Sequence, residues 1–115
     1  MYARQIASDD DTITIVATAA ITAKRCVAYN GTHTASVAAM GVARFATDSG
    51  DPISVGVAPI EVIESGTTCT AGGALKTDSV GRVIDQGGSG VIIGRAIDAA
   101  GATAGAFIRV RMFIQ

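Results

Sequence analysis

His33 is the only histidine of the chain, and Cys26 and Cys69 are its only cysteines, placed far apart in the sequence. A multi-histidine zinc site has no ligands to draw on. A mixed site would need Cys26, Cys69, His33 and a carboxylate gathered from isolated positions. A cysteine–histidine nucleophilic pair can be composed on paper, yet neither cysteine stands in a turn-to-helix context that would activate it. His33, within NGTHTAS, reads as a surface turn residue. The thiols read as small buried hydrophobes, with a Cys26–Cys69 bridge the less favoured arrangement in a chain of such low cysteine density.

The carboxylates lead to the same place. Asp9, Asp10 and Asp11 are adjacent, lack the oxygen-ligand rhythm of a calcium loop and repel one another into solvent. Glu61 and Glu64 are three apart, which on a strand puts them on opposite faces, unsuited to joint acid and base work. GGSG, Gly87 to Gly90, lacks the Lys-Ser/Thr and the helix of a phosphate loop and reads as a hairpin tip between Ile84 and Val91. A small hydrolase built on Cys69 or Asp10 would want a second catalytic partner. The expectation is a protein that is not an enzyme and carries no metal or cofactor.

The elements around these residues are short. The chain has 115 residues, room for one β domain spanning 1–115, with 1–11 as an extended or flexible N-terminal arm. It is 49% hydrophobic with no Trp and 14 glycines, so Val, Ile, Ala and Leu must build the core. Only 17% is charged, against about 25% in ordinary soluble domains. Either a partner covers part of the surface, or Ser, Thr, Gly and Ala coat it. A net charge of −1 with no clustered basic residues argues against nucleic acid. MYARQIASDDD has no apolar core of a secretory signal, and Arg95, Asp98, Arg109 and Arg111 interrupt the best apolar run, so no membrane span is expected.

Apolar runs of strand length alternate with turn signals: TITIVAT, RCVAYNG ending in Asn30-Gly31, the stretch Ala35 to Asp51, PISVGV, PIEVIESG, then, after the small-residue link TTCTAGGAL, GRVIDQGGSG and VIIGRAIDAA. In the last strand Ala106, Ile108, Val110, Met112 and Ile114 share one face, while Phe107, Arg109, Arg111 and Phe113 share the other. The pattern predicts an all-β fold, a small barrel or sandwich of roughly seven to ten short, mostly antiparallel strands with Gly/Ala-rich turns. The competing element is a short helix near Ala19 to Val27.

An internal echo accompanies the pattern. GVARFATDSGDPISV from Gly41 and GRAIDAAGATAGAFIRV from Gly94 each run from glycine through a short strand and a small-residue turn into a β-branched strand. Duplication and coincidence both remain open. Each unit proposes a hairpin whose tip has little to catalyse with and much room for a neighbouring surface. The candidate protein contacts are therefore Gly101, Ala102, Thr103, Ala104 and Gly105 at one tip and Thr47, Ser49 and Gly50 at the other. Arg109 and Arg111 add multidentate donors for acidic groups. The alternative is that the tips merely turn tightly and both arginines pair within the monomer.

Three stretches in order, GVARFATDSGDPISVGV, VIESGTTCTAGGALKTDSVGRVID and IIGRAIDAAGATAGAFIRVRMF, resemble the small capsid cement or head decoration proteins of tailed bacteriophages, over about residues 20 to 114. Gly41-Val42-Ala43, the turn Asp48 to Asp51 and Val55, the segment Ala71 to Val83, and Gly94 to Ala100 with Gly105 and Val110 carry the likeness. It implies a compact β fold bound to the outside of the assembled head at capsomer junctions, with the major capsid protein as partner and assembly in the host cytoplasm. A homo-oligomer is implied too, a trimer first, with dimers and shell-dependent monomers as alternatives. Binding the shell but not its separated parts would stabilise it by mass action. The other reading is a tail, baseplate or fibre-base module of the virion that mediates attachment.

Overall fold

The computed structural model describes residues 11–33 and 38–113. The expected N-terminal arm, apart from Asp11, and the inward place assigned to Ile114 lie outside them. Nine strands are present among the described residues, all paired antiparallel: β1 (Thr12–Val16), β2 (Cys26–Ala28), β3 (Ala39–Ala43), β4 (Pro52–Gly56), β5 (Ile60–Glu64), β6 (Ala74–Thr77), β7 (Val83–Asp85), β8 (Gly94–Ala96) and β9 (Phe107–Met112). They form a four-stranded sheet in the order β1-β4-β3-β2 and a five-stranded sheet in the order β5-β9-β8-β6-β7. The all-β expectation holds, and where a helix competed for Ala19 to Val27 the chain makes turns and then enters β2. Lys24, with a φ of 65°, cannot continue a right-handed helical turn there.

Alternation decides which faces are buried. In β4, Ile53 and Val55 are buried while Pro52 and Ser54 are exposed. In β9, Ile108 and Val110 are buried, Met112 is half-buried, and Phe107, Arg109 and Arg111 face solvent. The five-stranded sheet also curls: a parallel bridge, Ser65 with Val83, brings its two edges together.

The two sheets repeat one plan. Each begins with an outer strand (β1, β5), adds a short strand (β2, β6) and ends in a hairpin (β3–β4, β8–β9), and β7 is an addition to the second. The backbone bonds repeat as well. The Ala17 amide donates to Asp51 O and the Gly50 amide to Ala17 O; in the second half the Ser65 amide donates to Ala106 O and the Gly105 amide to Ser65 O. Ile21 and Thr47 exchange two bonds, as do Cys69 and Ala100. Lys24 and Gly72, whose amides donate to Ala43 O and Ala96 O, both have positive φ, 65° and 78°. The glycines that open the echoed segments do the same work. A Cβ on Gly41 would strike the carbonyl of Gly56 and the Val55 side chain, and one on Gly94 the carbonyl of Arg111 and the Val110 side chain.

Each half has its own core. Ala17, Ile21, Val27, Ala43, Ile53 and Val55 fill the first. Ile63, Cys69, Leu75, Val83, Ile93, Ala96, Ile108 and Val110 fill the second, joined by Cys26, Ala39 and Val42 from the first sheet. The first sheet is thus covered on both faces over β2 and β3, one of them by the second half.

Two stretches differ from their sequence reading. Ala74 and Leu75, the end of the link TTCTAGGAL, open strand β6, in which Leu75 and Thr77 point inward. GGSG does not close a hairpin, because β7 and β8 both pair with β6 and the glycine loop crosses from one side of it to the other.

Candidate interaction surface

The groups with chemical potential are held in structural roles. Cys26 and Cys69 are both buried free thiols. Burial, reinforced by the Asp78 carboxylate, pushes Cys26 up to about 12; burial, reinforced by Asp85, pushes Cys69 up to about 11. Neither is a thiolate near neutrality. The His33 Nε2 accepts the Thr22 amide at 3.0 Å, which requires a neutral ring nitrogen. Burial and then the nearby Arg25 hold its pKa below the usual imidazole value, with Asp78 opposing. Among the described residues no group of three or more His, Cys, Asp or Glu could hold a metal ion.

Glu61 and Glu64 point to opposite sides of β5, and each takes its own arginine from the first half. Arg44 Nη2 donates to Glu61 Oε2 at 2.7 Å, and the Ala58 amide donates to the same oxygen at 2.9 Å. Arg25 Nε donates to Glu64 Oε1 at 3.1 Å. These pairs, 17 and 39 residues apart in the chain, tie the halves together. Within the second half, Asp78 accepts the amides of Val80 and Arg82 and the Arg82 Nε, closing the turn through Gly81. The Asp78, Gly81 and Arg82 of the resemblance motif therefore shape a turn, and the Gly81 carbonyl accepts the Cys26 amide.

The candidate contacts fall into three places. Thr47 is bridged to Ile21, and Ser49 and Gly50 are exposed at the tip of the β3–β4 hairpin. Gly101 to Gly105 are all exposed at the tip of the β8–β9 hairpin. Arg109 and Arg111 lie on the outer face of the second sheet. The structure brings the two arginines together on β9 but leaves the two tips on different sheets. Gly50 and Gly105 have φ of 90° and 106°, so the turn itself favours glycine there. Gly101 does not have positive φ and has open space where a Cβ would stand, so the monomer gives no reason for its lack of a side chain.

The arginines differ. Arg109 grips Asp98 with Nη2 at 2.7 Å, Nε at 3.0 Å and its own amide at 2.9 Å. Those side-chain and then backbone hydrogen bonds hold the Asp98 carboxyl down at about 2. For Arg109 the internal-pairing alternative is therefore what the structure shows. Arg111 forms no ion pair among the described residues. Directly opposite it on β8 is Arg95, which the sequence marks as a charge breaking an apolar run but not as a contact. Around them the outer face carries Phe107, 61% exposed, Ile60, 54% exposed, and Val62. Beside Arg111 opens an apolar groove of about 650 Å³, lined among others by Ile13, Tyr29, Met40, Val57 and Phe113. The only sequence signal for this surface was the mixed aromatic and cationic face of β9.

Residues 6–112 match the model of a family described as phage cement protein. Among solved structures, the chain is similar to the N base of the head fibre gp8.5 of bacteriophage phi29, with a TM-score of 0.74 and 21% identity over 89% of this chain and 92% of that one. At that identity the likeness shows a shared fold. No curated protein matches the chain significantly.

Proposed function

The chain belongs to the phage cement protein family, a structural component of the virion carried on the outer surface of the capsid, and from that premise we propose that it is one β domain working as a base-type module seated on the head. Its partner in this reading is the major capsid protein, and the working form is a homo-oligomer, a trimer first. The observation that carries the base reading is the likeness, over nearly the whole chain, to the N base of a head fibre. The tips add support, because Gly101 lacks a side chain where the fold would accept one. Small residues there let another backbone approach at little entropic cost.

The family description favours a second reading, plain cement at capsomer junctions. A map of intact particles separates the two. Cement gives a regular lattice of compact copies at the junctions, and a base gives copies from which further density projects. Copies along the tail, or none on the head, would refute both. Light scattering of the purified protein tests the trimer, with a monomer that stays monomeric on heads as the refuting result. Ala102→Glu with Ala104→Glu tests the tips: with the fold intact, retention on heads should fall by about tenfold or more, the equivalent of about 1.4 kcal/mol.

A further inference from the structure

We infer that Arg95 and Arg111 form a receptor for a carboxylate on an acidic protein surface, so that the outer face of the five-stranded sheet is the side that meets the partner. The two guanidiniums belong to directly opposed residues of β8 and β9, and both residues are exposed. Like charges set opposite each other in a ladder destabilise it. The other arginines among the described residues, Arg25, Arg44, Arg82 and Arg109, each hold a carboxylate. Arg95 has only the Gly72 carbonyl, which accepts its Nη1 at 2.9 Å. An incoming carboxylate would accept from both guanidiniums and cancel the repulsion.

The internal repeat supplies an independent argument. The residues that correspond to Arg95 and Arg111 in the first half are Val42 and Gly56, also directly opposed across a β hairpin and both buried. What lies against that spot is an ion pair: Arg44 Nε stands 2.5 Å and Glu61 Oε2, brought by β5, 2.7 Å from where a Cβ on Gly56 would be. In the first half this face is covered by a strand that brings a carboxylate. In the second half the two residues at the same positions are exposed among the described residues and present two cations. Ile60, beside Arg111 in the pairing register, supplies the apolar surface that a contact of this kind buries.

A second copy docked through the same face would bring four guanidiniums together, which argues against self-association there. A duplex would call for a basic stripe, which a chain of net charge −1 with scattered cations does not offer. The identity of the partner as part of the virion rests on the reading of the previous subsection; the carboxylate receptor does not.

The test compares wild type, the Arg95→Gln/Arg111→Gln double variant and Lys76→Gln, a control that removes a cation from the neighbouring strand β6. Each is added at low salt to purified heads that lack this protein, and separately to a short polyglutamate peptide followed by amide chemical shifts. The double variant should melt no lower than wild type, bind heads about tenfold more weakly or worse, and lose most of the salt dependence of binding, while the control stays near wild type. Unchanged head binding with the fold intact would overturn the receptor. If wild type does not bind heads at all, the head-seat reading fails and the peptide decides the receptor. Shifts at Arg95 and Arg111 that vanish in the double variant sustain it, and their absence in wild type overturns it. Stronger binding to a DNA duplex than to heads or peptide would overturn the choice of a carboxylate.

Discussion

The first half, through Gly56, and the second half, from Ile60, share backbone bonds, glycines and core positions, yet differ in what they do with their polar groups. The first half spends its arginines inward, on Glu61 and Glu64 of its neighbour. The second half keeps Arg82 in its own turn with Asp78 and turns its other arginines outward, with Arg109 neutralised by Asp98 and Arg95 and Arg111 opposite each other. The same ladder positions are thus covered in the first half, at Val42 and Gly56, and exposed in the second, at Arg95 and Arg111.

The equivalence can be broken in its cores first. Val55 and Val110 are both fully buried at matching positions. Val110→Asp should cost more than about 4 kcal/mol, because it buries a carboxylate with no cation to meet it in the cluster that joins both halves. Val55→Asp should be severe as well. Hydrogen exchange would show whether protection survives in β5 to β9, and such survival would split the halves into separate folding units.

Next comes the seam. Arg44→Ala leaves Glu61, 6% exposed, without its cation, and should cost about 3 kcal/mol in denaturant unfolding, the low end of the buried-pair range because Arg44 itself stays 28% exposed. Asp98→Asn, which removes the solvent-exposed pair of the other half, should leave the melting temperature where it was. Equal losses would erase the distinction between seam and surface.

The glycines sharpen the comparison. Gly41→Ala and Gly94→Ala should each cost about 1–3 kcal/mol through collision with the carbonyl of the paired strand, and by similar amounts if the hairpins are equivalent. A marked inequality would mean that one ladder can widen and the other cannot.

The smallest effect is acidic and confined to the first half. The folded pKa of His33 lies below the ordinary 6.5, so the stability linked to its neutral ring is complete above about pH 6.5 and is lost as pH falls through the depressed value. Melting temperatures of wild type and His33→Gln should diverge above that range and converge below it, with faster exchange at the Thr22 amide in acid.

Much of this was legible and some was not. β4, β5 and β9 announce themselves through alternating burial of Ile53 and Val55, Ile63, and Ile108 and Val110. The echo at Gly41 and Gly94 was visible because both glycines are required by close strand approach. Its extension back to Ala17 and Ser65 was hidden, since amides and carbonyls carry that equivalence and side chains do not. β6 escaped because its inward pair, Leu75 and Thr77, is too short to show a period. Arg25 and Arg44 could not be matched to Glu64 and Glu61, because sequence does not say which sheets will meet. The sequence shows Arg95 as a charge but not as a contact, because its significance lies in what stands across the ladder.

The place of β9 within its sheet also bears on the order in which the protein is made. β9 lies between β5 and β8, yet it is synthesised after both. Until the ribosome has released Phe107–Met112, β5 has no strand to pair with and the inner face of the second half stays open. The first half needs only the chain through Gly56 to complete its own ladder. Translation therefore imposes a sequence on the two halves that their shared plan does not. The opposition of Arg95 and Arg111 likewise requires that β9 be in place.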